Sequence, residues 1–258
     1  MDDKIRSLLY EGSGLSPLFN PMSATEDTVP SPLVVDMTVD IANHGRIYHP
    51  NTDEVRALVE QANAVVTDSE RMSSIARRYT KGLVVSAPFG FTTVQDRETP
   101  FTVGLLNYTE EQEMANKILR KFYKALKSPF LVFGKELDWT EKENEDNRVT
   151  DDWELFCGEI DVLLLVGSSH VVPSFTLPVS AMMAGAVILA TNHYSSLQSA
   201  SGVFILSGEQ PKLWAGQLQK LESNLRRLDS LKQFNANYAR QISRESQALI
   251  FKLAKRLS

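Results

Sequence analysis

The stretch Asp161 to Asn192, DVLLLVGSSHVVPSFTLPVSAMMAGAVILATN, limits the folds open to this chain more than any other part. An unbroken apolar run, Val162 to Val166, ends in Gly167-Ser168-Ser169-His170. A Pro-containing link leads to a short helical run, Leu177 to Ala184. Gly185 ends it, and a second apolar run, Ala186 to Ala190, closes in Thr191-Asn192. Strand, polar loop, helix, glycine stop and strand form the repeating unit of a parallel sheet. Ligands of such sheets sit beyond the carboxyl ends of the strands. The tips at Gly167–His170 and Thr191–Asn192 are therefore the expected place for chemistry, and they are expected to emerge side by side.

The rest of the chain extends the same pattern. Pro32 to Thr38 reads as a buried strand, and Thr52 precedes a helix with Val55, Leu58, Val59 and Ala62 at helical spacing. Ala64–Thr67 is a short strand, Asp68 or Ser69 caps a helix to about Tyr79, and Leu83–Ser86 is the next strand. Pro88, Gly90 and Pro100 break the pattern, which places a domain boundary there. A strand restarts at Phe101–Leu106, followed by a helix from about Glu110 to Leu126 and a strand at Phe130–Gly134. Residues 136–154 hold nine carboxylates against two basic residues; with no carboxylate and histidine ligand spacing, they read as a solvated loop, and no metal is expected. Val203 to Leu206 is a further strand, and the end of the chain is helical in two pieces broken near Leu228-Asp229.

Composition narrows the function classes. At 258 residues the chain holds one large or two modest domains. A net charge of −5 argues against general nucleic-acid binding. One cysteine, Cys157, cannot form an internal disulfide, and next to Leu155 and Phe156 in a helix it reads as a core residue. No apolar run approaches the roughly 20 residues of a membrane helix. The expected state is soluble and cytoplasmic. There is no Walker loop, no G-x-G-x-x-G and no nucleophile elbow.

Three segments carry a resemblance to a known family. QANAVVTDSERMSSIARRYTKGLVVSAPFGF (61–91), FTVGLLNYTEEQEMANKILRKF (101–122) and DDWELFCGEIDVLLLVGSSHVVPSFTLPVSAMMAGAVILATN (151–192) resemble GT-B fold glycosyltransferases of the retaining, nucleotide-sugar-dependent kind. The tail LDSLKQFNANYAR (228–240) resembles the closing helix of that fold. The resemblance implies an α/β protein of two Rossmann-like lobes with parallel sheets. It implies a shortened N-terminal, acceptor-side lobe over 1–92, a nucleotide-sugar lobe over 98–227, and a helix over 228–258 crossing back to the first lobe.

The implied function is transfer of a sugar from a nucleotide-sugar donor to an acceptor hydroxyl, with the donor as substrate and no further cofactor. The helix after Pro173-Ser174-Phe175-Thr176 is placed to hold a diphosphate on its backbone N–H groups, with Ser174 or Thr176 as its cap. The donor-side candidates are Gly104, Asn107, Lys135, Ser169, His170, Ser174, Phe175, Thr176 and Asn192. His44, His49 and His170 are the histidines considered for catalysis; surface or structural roles stand beside that for His44 and His49.

The chain departs from the family in its charges. Two glutamates eight residues apart are common around this helix; here the positions are Pro173 and Ala181, and no acid lies between Val162 and Thr191. The basic pair expected after the first strand of the second lobe is missing, leaving Lys135 as the nearest substitute. These departures support an alternative: a catalytically silent GT-B-like protein that serves as a binding or assembly partner, as a homodimer or with another subunit.

Overall fold

The computed structural model describes residues 8–18, 31–38, 53–90, 100–107, 116–119, 130–136, 148–167, 175–208 and 210–258. The chain divides into two compact units. The first holds residues 1–91, 174–179 and 240–258; the second holds 92–173 and 180–239.

The first unit is built on a parallel sheet of β1 (Val34–Asp36), β2 (Ala64–Thr67) and β3 (Leu83–Ser86), in that spatial order. Helix α1 (Asp53–Gln61) links β1 to β2, and α2 (Glu70–Ala76) links β2 to β3. Parallel neighbours need a crossover, and each helix supplies one. The outer edge of β1 is met by Leu18, which donates to Val34 O at 2.7 Å and accepts from Asp36 N at 3.1 Å. Val34, Ala64 and Val66 pack with Leu9, Tyr10, Ile250 and Leu253 as one apolar cluster. Ser69, not Asp68, caps α2: its Oγ accepts from Met72 N at 3.3 Å.

Among the described residues, the second unit holds six parallel strands in the order β6-β5-β4-β7-β8-β9. They are β4 (Val103–Asn107), β5 (Phe130–Gly134), β6 (Arg148–Thr150), β7 (Val162–Leu165), β8 (Val187–Ala190) and β9 (Val203–Ile205). This is the doubly wound order, whose direction reverses between β4 and β7. The central strands are buried on both faces, which explains why they read as unbroken apolar runs rather than alternating ones. Val103, Leu105, Val162, Leu164, Val187 and Leu189, alternate residues of one face, share a core with Trp214, Leu218 and Leu221 of α5 (Pro211–Glu222). On β5, Phe133 stacks edge-on against Trp153 of α3 (Trp153–Glu159), ring centroids 4.8 Å apart.

Helix α4 (Thr176–Met183) is buried nearly all round, as its apolar sequence requires. Helix α6 (Leu225–Leu257) has residues in both units. The helical break before it falls at Ser223-Asn224, not near Leu228-Asp229. Asn224 Oδ1 accepts from Arg227 N at 3.1 Å and caps α6, while Leu228 is buried inside it. In the second unit, Asn235 of α6 holds the sheet by its side-chain amide. It donates to Ala186 O at 2.8 Å and Gly202 O at 3.1 Å, and accepts from Gly202 N at 3.1 Å.

Candidate functional site

Within the second unit, β7 and β8 are direct neighbours, Leu165 level with Ala190, so their tips emerge side by side. They are joined by polar contacts. Gly167 N donates to Thr191 Oγ1 at 2.9 Å, and Thr191 Oγ1 lies 3.3 Å from His193 Nδ1. A Cβ at Gly167 would stand 2.6 Å from His193 Cβ, so only glycine lets the imidazole lie against this tip. His193 is exposed, whereas Thr191 is buried. Sequence reasoning passed over His193; the signal was its position two residues past the Thr191 strand end. Asn192 is exposed and begins a short 3-10 turn over Asn192–Leu197.

The reversal of strand order lies one strand away, between the tips of β4 and β7. Asn107 ends β4, and it is buried and engaged. Its Nδ2 donates to Lys135 O at 2.9 Å and Glu136 O at 3.3 Å. Lys135 N in turn donates to Asn107 O at 2.8 Å. Asn107 therefore ties the β4 tip to the β5 tip, while Lys135 itself is exposed. Gly134, just before it, has φ +108°, a backbone that favours glycine. Gly104 has a packing explanation: a Cβ there would meet Ile160 Cγ2 at 2.7 Å and Phe156 Cζ at 2.9 Å.

Within the first unit stands the start of α4. Phe175 N and Thr176 N, at the start of the helix to which the resemblance assigns a diphosphate, both donate to Asp68 Oδ2, at 2.9 and 3.3 Å. Asp68 is 4% exposed, Phe175 7% and Thr176 7%. Asp68, which follows β2, thus caps the α4 start, and Thr176 Oγ1 is buried with no hydrogen-bond partner among the described residues, while Ser174 lies outside them. A carboxylate suits the partial positive charge of a helix start. Asp36, at the end of β1, is a second buried acid; it accepts from Tyr10 Oη and from Thr38 N, both at 2.8 Å. Neither acid was singled out by the sequence as a site residue.

Ser169, His170, Ser174, His44 and His49 lie outside the described residues. Cys157 is buried in α3, and burial pushes its thiol well above the usual value, which opposes thiolate chemistry. No three His, Cys, Asp or Glu side chains converge among the described residues.

No family model matches the chain, and no curated protein matches its sequence. Solved structures do match. TarM aligns with a TM-score of 0.60 at 14% identity, over 93% of this chain and 54% of TarM. Anabaena HepE in complex with UDP-glucose aligns with a TM-score of 0.59 at 15% identity, over 87% of this chain and 71% of HepE. The Glycosylation Associate Protein (Gap123) complex from Streptococcus agalactiae aligns with a TM-score of 0.54 at 11% identity, over 98% of this chain and 57% of that one. The chain has the GT-B fold of the glycosyltransferases, and it spans just over half the length of TarM and of the Gap123 chain.

Proposed function

We propose that this chain is a GT-B-fold protein without transferase activity of its own, acting as a binding or assembly partner of another subunit. One observation carries the reading: the carboxylate of Asp68 takes the two backbone N–H groups at the start of α4. A diphosphate at this helix start would compete for those donors. It would also meet a like charge, and two unit charges 4 Å apart repel by roughly 4 kcal/mol at an effective dielectric near 20. No acid between Val162 and Thr191 is available to hold a donor's hydroxyls. Asn107 is already spent on joining two strand tips. The Gap123 structure, a complex by name, matches nearly the whole chain and supports the assembly role.

The second reading is the glycosyltransferase itself, taking a sugar from a nucleotide-sugar. The polar tip of Gly167, Thr191 and His193 favours it, as does the likeness to a structure holding UDP-glucose. Hydrogen-bond donors at neighbouring strand ends suit an oxygen-rich ligand.

Thermal unfolding with UDP, GDP, CMP and dTDP sugars separates the two. A bound donor at a hundredfold excess over Kd adds about 2.7 kcal/mol. The proposal expects no shift with any donor and no donor hydrolysis. A saturable shift with hydrolysis that is lost in His193→Ala contradicts it and establishes the second reading.

A further inference from the structure

The end of α6 presents an exposed stripe that the fold does not use. Residues 240–258 carry Arg240, Arg244, Lys252, Lys255 and Arg256 against one acid, Glu245, in a chain whose net charge is −5. Arg244, Phe251 and Lys255 are spaced by seven and four residues and so share one side of the helix. All three are exposed, Phe251 to 43%. Glu245 falls on another side, where its Oε1 accepts from Gln241 Nε2 at 2.8 Å. Beside the stripe, Gln247 Nε2 donates to Leu8 O at 3.2 Å, and the Leu8 side chain is 41% exposed. Gly12 faces the Phe251 ring, an added Cβ there lying 3.5 Å from Cζ. At this stripe the first unit therefore exposes the apolar side chains of Leu8 and Phe251, with a cation on either side of Phe251 along the helix.

We infer that this face docks on an anionic phospholipid surface. Charge complementarity selects that occupant: guanidinium and ammonium groups meet headgroup phosphates, while a phenyl ring and a leucine enter the boundary with the acyl chains. An amphipathic helix lying in the interface needs no spanning segment, and no helix among the described residues is long and apolar enough to cross a membrane. The inference is independent of the α4 reading, which concerns other residues.

Flotation of the full chain with vesicles tests it. The chain is expected to float with phosphatidylcholine vesicles containing phosphatidylglycerol, to stay behind with phosphatidylcholine alone, and to be released by high salt. Arg244→Glu with Lys255→Glu is expected to lower partition at least about tenfold, each cation near such a surface being worth roughly a factor of five. Phe251→Ser is expected to weaken binding at every salt concentration, and Lys212→Glu, an exposed lysine of the second unit, to leave it unchanged. Circular dichroism verifies that each variant keeps its helix. Failure to float, equal flotation with neutral vesicles, or insensitivity to the Arg244 and Lys255 changes overturns the inference. Capture of polyglutamate with vesicles ignored also overturns it, in favour of an acidic protein partner.

Discussion

Asp68 stands next to one helix and caps another. Ser69 takes the local capping role at α2, which leaves the Asp68 carboxylate for Phe175 N and Thr176 N, 107 and 108 residues away. Asp68→Ala removes a charged cap from a buried helix start, and is expected to lower stability by about 1–2 kcal/mol in urea unfolding. Ser69→Ala is expected to cost about 1 kcal/mol, since a neutral cap is lost from an α2 that remains packed. Neither the capture of the α4 amides nor the approach of His193 to Gly167 was legible in the sequence. Both depend on partners brought together by the sheets, whereas capping rules read only neighbours along the chain. The buried role of Cys157 was legible, because the residue beside it in α3, Phe156, is a core residue too. Its raised thiol pKa gives a pH dependence with a definite sign. Below the ordinary thiol value both folded and unfolded states keep the proton. As pH rises above it, only the unfolded state releases the proton, so the contribution of Cys157 to stability falls with rising pH. Native protein at mildly alkaline pH is expected to resist iodoacetamide, with labelling appearing only on denaturation; rapid native labelling contradicts the buried placement.

Strands were the most legible elements, because burial on both faces leaves an uninterrupted apolar run with polar or glycine ends. The run at Val162–Val166 became β7, and Ala186–Ala190 became β8. Helix ends were less legible where a cap was overlooked: Asn224 ends the gap before α6, whereas the break was expected near Leu228-Asp229. Gly104 shows the opposite difficulty, since a glycine near a strand end suggests ligand approach but here accommodates α3. Gly104→Ala is expected to destabilise by about 1–3 kcal/mol through overpacking against Ile160 and Phe156, measured by chemical denaturation. Asn235→Ala removes the side-chain partner of Gly202 N and Ala186 O beneath β8 and β9, and is expected to cost about 2–3 kcal/mol in the same assay. A loss below half a kilocalorie at either position contradicts the packing described.

Two parallel sheets, one of six strands in doubly wound order and one of three among the described residues, carry the GT-B fold without a family-level sequence match. The fold was legible because patterning and turn chemistry repeat at every crossover. The state of the α4 start was less so. A missing acid could be noted residue by residue, but the acid supplied at the α4 start comes from β2's end and shows only in three dimensions. The central claim is that the α4 amides are occupied from within. The most direct measurement is an amide NMR titration of the full chain with UDP-glucose and with UDP, following the Phe175 and Thr176 N–H signals, with Asp68→Asn as reference. The account predicts that both signals stay in place under either ligand in the native chain and move on Asp68→Asn substitution. Saturable movement of both signals in the native chain, with the Asp68 change leaving them unmoved, would contradict it.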